Sequence, residues 1–407
     1  MYDLVVVGGG ASGVFAAINA AKQDKKVLIV EKNIKLLQKL KITGKGRCNL
    51  TSAVETIDEI MENISTNKRF MYSALSSFSN KDTISFFESL GVELKEERGK
   101  RIFPKSDSSM TVVDALLDEV KRLKINILHD KVQKIIADNG KVTAVQCEKN
   151  FICVDNIILA TGGLSYHKTG STGDGYKIAR DLGHKIIKLK PSLIGLKSKE
   201  KDICKLSGLT LKNVSLKLFE NNRQVYSDFG EVLFTHVGIS GPIILSSSSH
   251  LSGNFSNVKV LLDLKPALDH EKLDKRLIRD FEKFDKKEIK NSLDGLFPKE
   301  FAKLIVKRLD FDNTLKVNQI TKTQRQQIAK LIKSFDIEIL DFESIENAVI
   351  TSGGVDCKEV NPKTMMSKII DGLYFAGEIL DVDAYTGGFN LQIAFSTAFV
   401  ASKLEDR

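Results

Sequence analysis

The sequence of 407 residues has no tryptophan, only six prolines, and five cysteines without a CxxC pair. An odd number of scattered cysteines fits neither a disulfide framework nor a zinc site, so we predict reduced thiols and no bound metal. No apolar run approaches the length of a membrane span, and the chain opens on a short strand instead of a basic leader. These absences favour a cytoplasmic protein with a core large enough to fold without cross-links.

Acidic residues are missing from Lys32 to Ser52, although the protein carries a formal net charge of +9. The cations of this stretch are Lys35, Lys39, Lys41, Lys45 and Arg47, and a second basic run around Phe103 comprises Arg98, Lys100, Arg101 and Lys105. Such runs are usually solvated faces. The other interpretation is attraction to a diphosphate cofactor, a phosphorylated substrate or an RNA backbone, and charge alone does not choose among them.

The first thirty residues have the pattern of a β-α-β unit. Apolar runs at 3–7 and 27–30 flank an apolar helical stretch at 14–23, and the intervening turn has the glycines of a GxGxxG motif: Gly8, Gly10 and Gly13. Glycines permit close backbone approach to a pyrophosphate, and the amides of Ala11 and Ser12 lie at the positive end of the helix. Glu31 follows the second strand, where its carboxylate can accept hydrogen bonds from both ribose hydroxyls and disfavours a 2′-phosphate.

Two later runs resemble further strands of the same sheet. The first run, 156–160, ends at Ala160 and is followed by Thr161, Gly162 and Gly163. The second run, 373–376, is followed by Gly377 and Glu378. Asp383 and the string TGGFNLQ follow, with Gly387 and Gly388 before a helical stretch. This arrangement favours FAD over NAD, because acids can bind ribityl hydroxyls and amides at a helix start can face the flavin O2. We predict those amide donors at Asn390, Leu391 and Gln392; a simple helix cap is the alternative.

A second glycine-rich loop spans residues 43–49, with the sequence TGKGRCN. Flexible backbone beside cations suits contact with the flavin or its phosphates, so we predict cofactor contacts at Gly44, Gly46, Arg47, Cys48 and Asn49. An ordinary surface turn is the competing interpretation. Further cofactor contacts are predicted at Lys32, Lys39 and Val132.

The middle of the chain, residues 191–334, has a different hydrophobic pattern. Alternating runs between 191 and 264 indicate a small antiparallel sheet or barrel, and residues 266–334 have helical spacing interrupted at Pro298. The nucleotide-binding domain is therefore predicted to be discontinuous, with this insertion carried on it.

The strings DLVVVGGGASG, KITGKGRCN, ATGGLSYHKTGSTGDGY, LFTHVGISGP, ITSGGV and GLYFAGEILDVDAYTGGFNLQIAFSTA occur in this order and span nearly the whole chain. They resemble the BaiN/RdsA family of bacterial flavoproteins. The resemblance implies an α/β fold in which a Rossmann-like FAD-binding domain is interrupted by a β-barrel domain and a small helical domain. The expected bounds are 1–190 with 355–407, 191–265 with 336–354, and 266–335. His167 and Ala384 depart from the family pattern, where proline and glycine are usual, and this puts local substrate contacts in doubt.

The resemblance also implies an FAD-dependent oxidoreductase that reduces a carbon–carbon double bond. It suggests NAD(P)H as the reductant, and another electron donor is the open alternative. Hydride would pass from flavin N5 to one carbon while a protein group protonates its neighbour. We name three candidate proton donors. Cys48 lies beside cations that would lower a thiol pKa, His236 can titrate near neutrality, and Tyr166 is the weakest; structural roles for the cysteine and the histidine compete with these assignments.

Three functions remain open at this point. The favoured function is reduction of uridine in ribosomal RNA to dihydrouridine, with the basic loops binding phosphates. The second is reduction of small enones or steroid-like unsaturated carbonyl compounds in an apolar pocket. The third is a flavoprotein whose redox state signals to a partner without catalysis. No membrane partner is expected.

Overall fold

The computed structural model describes residues 2–312 and 314–404 and divides into two compact units. The first unit comprises the chain up to Ser192 and from Ile345 onward, and the second is Leu193–Ser344. The second unit is thus inserted in the chain of the first, as the predicted interruption of a discontinuous domain requires.

The elements of the first unit that precede the insertion alternate in the manner of an α/β protein. Its strands are β1 (Leu4–Val7), β2 (Val27–Glu31), β3 (Thr51–Ser52), β4 (Leu94–Glu97), β5 (Arg101–Pro104), β6 (Asn126–His129), β7 (Val132–Asp138), β8 (Lys141–Cys147), β9 (Phe151–Cys153), β10 (Ile157–Leu159) and β11 (Ile186–Ser192). Its helices are α1 (Ala11–Ala21), α2 (Gln38–Gly46), α3 (Ile57–Glu62), α4 (Lys68–Ser77), α5 (Asn80–Ser89), α6 (Ser109–Arg122) and α7 (Asp174–Asp181).

The second unit contains strands followed by helices, and the chain then returns to the first unit. The elements of the second unit are β12 (Leu196–Ser198), α8 (Lys201–Cys204), β13 (Thr210–Glu220), β14 (Arg223–Phe234), β15 (Gly238–Ser240), α9 (Pro242–Ser248), β16 (Val258–Asp263), α10 (His270–Lys283), α11 (Lys299–Arg308), α12 (Lys322–Lys333) and β17 (Phe335–Phe342). The final elements are β18 (Ile350–Val355), β19 (Leu373–Phe375) and α13 (Phe389–Ser402). Short 3-10 turns occupy His167–Thr169, Ile289–Asn291, Val317–Gln319, Ile345–Asn347, Cys357–Glu359 and Gly377–Ile379.

A five-stranded parallel sheet forms the centre of the first unit, in the order β19-β10-β1-β2-β6. All four residues of β1 are buried, as expected for an inner strand covered on both faces. Val6 lies between Ile158 and Ile29 on the neighbouring strands. This register brings the ends of β1, β10 and β19 to one edge of the sheet, where ligands bind in open parallel sheets.

The predicted β-α-β unit is confirmed, but its helix begins at Ala11 and not at residue 14. The glycine turn passes directly into α1, so Gly13 lies inside the helix and not before it. Two smaller antiparallel sheets, β3-β5-β4 and β7-β8-β9, and the pair β11-β18 complete the strands of this unit.

A closed barrel forms the second unit, in the order β12-β15-β14-β13-β16-β17. Its longest hairpin joins β13 to β14 through Asn221 and Asn222, both with positive φ (51° and 62°). Asparagine tolerates this conformation, which a two-residue turn needs to match the twist of its strands. Helices α10 to α12 lie between β16 and β17 in the chain, and Pro298 caps the start of α11.

The predicted fold class is thus confirmed: a Rossmann-type α/β domain interrupted by a barrel with helices. The finer bounds of three separate domains stay a prediction. Over the described ranges, no helix combines the length and the apolar composition that crossing a membrane requires.

Candidate dinucleotide-binding site

The turn between β1 and α1 is shaped by glycine. Gly8 has a φ of 107°, and a Cβ added there would lie 2.6 Å from the Ala160 carbonyl oxygen on the neighbouring strand. A Cβ added at Gly13 would lie 1.9 Å from the Gly8 carbonyl oxygen. The absence of side chains therefore lets the helix pack directly on the strand ends.

The start of α1 is open to a ligand. Its first intrahelical hydrogen bond runs from Val14 N–H to the Gly10 carbonyl at 2.9 Å, so the amides of Ala11, Ser12 and Gly13 have no acceptor within the helix. No side chain caps the helix at Gly10. A Cβ added at Gly10 would meet no atom within 4 Å. This space and these amides fit a pyrophosphate.

Glu31 lies next to this turn at the end of β2. Its Oε2 accepts a hydrogen bond from Gly9 N–H at 2.7 Å, and its Oε1 accepts one from Asn33 N–H at 2.8 Å. A carboxylate has about four acceptor positions, so two are left for ribose hydroxyls. The neighbouring Lys32 binds Thr172 and pairs with Asp174 at 2.7 Å. The residues present therefore fit the diphosphate and ribose of a dinucleotide.

The end of β10 contributes the predicted segment Thr161 to Gly163. The Thr161 hydroxyl is buried, and within the described part of the chain no hydrogen-bond partner faces it. Val132, also predicted as a contact, begins β7 and is buried. At the end of β19, Gly377 packs against α1, since a Cβ added there would lie 2.5 Å from Ser12 Oγ. The ends of three adjacent strands thus converge on the opening turn.

A polar network joins four of the predicted segments. Lys39 Nζ donates to Glu378 Oε2 at 2.7 Å and to Ser165 Oγ at 2.6 Å. Glu378 Oε1 also accepts from Ser165 Oγ at 3.1 Å and from Thr351 N–H at 2.8 Å. Thr351 Oγ1 in turn accepts from Ser165 N–H at 3.1 Å. Lys39 and Glu378 were predicted as cofactor contacts, whereas the network residues Ser165 and Thr351 were not singled out, although both lie in the quoted motifs.

The loop 43–49 behaves differently from the opening turn. Arg47 Nε donates to Asp107 Oδ1 at 2.8 Å, and its Nη2 binds Glu97. Its guanidinium carbon lies 4.2 Å from the centre of the Phe103 ring. Hydrogen bonds to Glu97 and then Asp107 raise the pKa of Arg47 above its ordinary value. The charge predicted to contact the cofactor is therefore paired with two carboxylates of the protein.

Cys48 requires a correction. Adjacent cations were expected to lower its pKa, but the side chain is fully buried and desolvation raises the pKa to about 12. Its hydrogen bond with Thr43 opposes this shift only weakly. The thiol stays protonated at neutral pH, so the expected activation as a thiolate is wrong. Gly44 and Gly46 take positive φ values in this loop (57° and 82°).

The C-terminal glycine turn lies against the same loop. Gly387 and Gly388 have positive φ values of 130° and 96°, and a Cβ added at Gly388 would lie 2.5 Å from the carbonyl oxygen of Thr51. With its amide in the favourable orientation, Asn49 accepts from Gly388 N–H at 3.1 Å. Gly388 is the N-cap residue of α13, and no side chain caps this helix. The second loop and the last helix are thus brought together.

The donors predicted at this helix start need one correction. Gln392 N–H donates to the Gly388 carbonyl at 3.0 Å, so it is an intrahelical bond and not a free donor. Its buried side chain is occupied by Thr51, at 2.7 Å, and by other core residues. The amides of Asn390 and Leu391 precede the Gln392 donor and have no acceptor within the helix, so their predicted role stays a prediction; the Phe389 amide, which was not predicted, is in the same position.

Buried carboxylates follow Glu378. The Asp383 side chain is 2% exposed, and Ser192 Oγ donates to its Oδ2 at 3.3 Å. Asp381 accepts from Asn67 Nδ2 at 2.9 Å, and burial, reinforced by Asp383 and Asp356, raises its pKa. Of these acids only Asp383 was predicted as a cofactor contact.

The two other candidate proton donors occupy different units. Tyr166 lies in the first unit with a left-handed φ of 55°, its pKa is raised by burial, and Lys39 Nζ is 5.8 Å from its ring centre. His236 lies in the second unit, exposed in the turn between β14 and β15. Neither role is tested by the structure, and both stay predictions.

Comparison with known proteins covers the whole chain. A family model described as "HI0933-like protein Rossmann domain" matches residues 2–404. A 3-dehydro-bile acid delta(4,6)-reductase of Clostridium scindens is 31% identical, over 99% of this chain and 98% of its own. A ribosomal RNA dihydrouridine synthase of Haemophilus influenzae is 30% identical, over 98% of this chain and 97% of its own. In structure, 3-ketosteroid delta1-dehydrogenase of Sterolibacterium denitrificans superposes with a TM-score of 0.53 at 13% identity, over 99% of this chain and 98% of its own; at that identity only the fold is shared.

Proposed function

Because the chain belongs to the HI0933-like family of Rossmann-fold proteins, we propose that it is an FAD-dependent reductase of carbon–carbon double bonds whose favoured substrate is uridine in ribosomal RNA. The supporting observation is that one unit contains the open α1 start with Glu31 beside it and a second helix start, that of α13, without a side-chain cap. The resemblance found in the sequence is confirmed by the family match and by full-length relatives. A ribosomal RNA substrate also implies a cytoplasmic location.

Different residues of the first unit would bind different parts of FAD. The amides of Ala11, Ser12 and Gly13 would hold the pyrophosphate, and Glu31 the adjoining ribose. The amides at the start of α13 would face the flavin ring, where negative charge accumulates on reduction. Bound FAD supplies a hydride from N5. NAD(P)H is the proposed reductant.

The chain must also deliver a proton to the carbon next to the one that receives the hydride. We favour Tyr166 within the first unit. Its raised pKa keeps the phenol protonated at neutral pH. The Cys48 side chain, in contrast, is fully buried and out of reach of a substrate. His236 is the candidate of the barrel unit.

Two substrate classes are supported unequally. Relatives that are 30% and 28% identical carry the name ribosomal RNA dihydrouridine synthase, and the net charge of +9 suits a polyanion. The 31% identical relative named as a bile acid reductase favours a small enone as the second candidate. We give RNA precedence because the first unit also has three exposed cations, Lys68, Arg69 and Lys358, around one cleft.

The deciding experiment compares dihydrouridine in ribosomal RNA from cells with the gene, without it, and with the gene restored. We expect the modified nucleoside to disappear and return. In parallel, the photoreduced enzyme is mixed anaerobically with unmodified ribosomal RNA or with a steroid enone, and flavin reoxidation is followed. Rapid reoxidation by the enone alone, with unchanged RNA in the cells, would overturn the RNA assignment in favour of the small substrate.

A further inference from the structure

The start of α4 borders a shallow cleft of about 380 Å³ in the first unit. The cleft is lined by Asn67, Lys68, Arg69, Phe70, Cys357 and Lys358. Three of these side chains are cations, and all three are exposed. None of them was singled out by the sequence, because Lys358 lies almost 300 residues from the other two.

These three cations have no counter-ion in the part of the chain that the structure describes. Among residues 2–312 and 314–404, no carboxylate lies within 4 Å of the charged groups of Lys68, Arg69 or Lys358. The acids beside the cleft are engaged elsewhere: Asp356 lies 3.5 Å from Lys185 Nζ, and Glu359 accepts from Lys185 N–H at 2.9 Å. The Asp381 carboxylate also lies beside the cleft, where it accepts from Asn67 Nδ2 at 2.9 Å. Three exposed cations thus face one carboxylate without an ion-pair partner in the described ranges, so the cleft keeps a net positive charge that an anion can neutralise.

An aromatic ring extends the same face of α4. Tyr72 is 56% exposed, and it follows Lys68 by four residues and Arg69 by three, which places the three side chains on one helix face. Met71 and Leu75 are buried on the other face and hold the helix in the unit. Cations that track a backbone beside an exposed ring are the combination that binds single-stranded nucleic acid.

The cleft adjoins the segment predicted to face the flavin. Asn67 Nδ2 donates to the Asp381 carbonyl at 2.6 Å, and Cys357 Sγ donates to the same oxygen at 3.5 Å. Ser65 N–H donates to the Asp383 carbonyl at 2.9 Å. A ligand in the cleft would thus contact residues that are hydrogen-bonded to the chain leading into the TGG turn.

We propose that the α4 face, formed by Lys68, Arg69, Tyr72 and Lys358, binds the phosphodiester backbone of single-stranded RNA and stacks one base on Tyr72. The proposal rests on the proposed function and adds to it the surface that holds the RNA strand. RNA fits this face better than an isolated phosphate does, because an exposed ring beside the cations offers a stacking platform that inorganic phosphate cannot use.

The test uses the oxidised holoenzyme and a fluorescein-labelled oligouridylate, with anisotropy measured over a range of salt concentrations. Lys68→Ala and Arg69→Ala should each make the slope of log K against log salt shallower by about 0.7 to 1 and weaken binding about fivefold near 0.1 M salt. Tyr72→Ala should weaken binding at least about fivefold without changing the slope. The matched control is Lys121→Ala, which removes an exposed lysine on α6 that is paired with Asp118 at 2.9 Å; it should leave binding unchanged.

Flavin content and the rate of flavin reduction by NADPH are measured on the same variants, and neither should move. Equal RNA affinity of the α4 variants and the control would overturn the proposal. Slower flavin reduction by NADPH with unchanged RNA affinity would also overturn it, because the cleft would then bind the nucleotide reductant. Dihydrouridine formation by the wild type tests the proposed function separately. If the wild type forms dihydrouridine but the α4 variants bind RNA normally, only the proposed RNA-binding face is refuted. If RNA binding depends on the α4 face but no dihydrouridine forms, only the proposed reaction is refuted.

Discussion

Two glycine-rich loops of the first unit were predicted to hold the cofactor, and they differ in what the fold does with them. The loop 8–13 leaves backbone amides and an open space at Gly10. The loop 43–49 uses its chemistry internally, because Arg47 is paired with two carboxylates and Cys48 is buried. The first offers donors to a ligand, whereas the second mainly supports the protein around it.

The two loops differ because one prediction concerns backbone amides and the other concerns side-chain charges. A GxGxxG turn acts through its backbone, whose geometry is fixed by residues a few positions apart. A basic loop acts through side-chain charge, and the partners of Arg47 are 50 and 60 residues away. Local spacing therefore predicts the first function and leaves the second undetermined. Two variants in each loop test this contrast.

The largest effect is expected at Gly13. In Gly13→Ala the new Cβ would lie 1.9 Å from the Gly8 carbonyl oxygen, so α1 must move off the strand. We expect the free energy of unfolding to fall by about 3 kcal/mol or more, despite the roughly 1 kcal/mol by which alanine favours a helix over glycine. FAD should be lost as well. Urea unfolding and the flavin absorbance of the purified protein measure both.

Gly10→Ala is the matched comparison in the same turn. Gly10 has an ordinary φ of −79°, and a Cβ there would meet no protein atom within 4 Å. The apoprotein should therefore unfold at the same urea concentration as the wild type, while FAD affinity drops at least about tenfold, since the methyl group occupies pyrophosphate space. Unchanged affinity would show that the space is not where the phosphates bind.

The sequence predicted the parts of the fold that depend on local pattern. The buried strands of the parallel sheet, an antiparallel sheet or barrel between 191 and 264, and helices over 266–334 all followed from periodicity and turn residues. Helix bounds were less accurate, as the early start of α1 at Ala11 shows. The long helical segment of α3 to α5 was not anticipated.

The site was predictable only as far as backbone geometry determines it. Gln392 was assigned as a flavin donor because it follows the glycine pair, but α13 begins at Phe389, and the Gln392 amide already donates to the Gly388 carbonyl. Ser165 and Thr351 join Lys39 and Glu378 only through tertiary contacts. The α4 face was missed for the same reason, since its unpaired charge depends on where distant acids find partners.

A smaller effect, on the free energy of unfolding at alkaline pH, is expected from Cys48. Its folded pKa of about 12 lies above the ordinary value of 9.0, so the folded protein holds the proton more tightly than the unfolded chain does. The resulting stability is complete below pH 9 and is lost as the pH rises toward 12. Relative to Cys48→Ala, the wild type should lose about 1.4 kcal/mol of unfolding free energy per pH unit in this window.

Urea unfolding at pH 7.5, 9.5 and 10.5 on both proteins measures this difference, and it separates Cys48 from the lysines and tyrosines that titrate alongside it. The exposed Cys153 provides an internal reference, because it should react with a thiol reagent in the native protein while Cys48 does not. If the unfolding free energies of the wild type and the variant fall in parallel with pH, the raised pKa of Cys48 is contradicted. Rapid labelling of Cys48 in the native protein would likewise support the activated thiol predicted from the sequence.

The smallest effect is expected from Arg47→Ala, and it is the sharpest test of the contrast between the two loops. If Arg47 belongs to Asp107 and Glu97 and not to the cofactor, its removal leaves FAD content and affinity unchanged and lowers Tm only slightly, since surface ion pairs contribute little. The remaining Lys95, which lies 2.7 Å from Asp107, still neutralises part of the acidic pair. Flavin titration of the apoprotein measures the affinity, and a loss comparable to that of Gly10→Ala would mean that cofactor binding draws the guanidinium away from its carboxylates, so that both loops hold the dinucleotide.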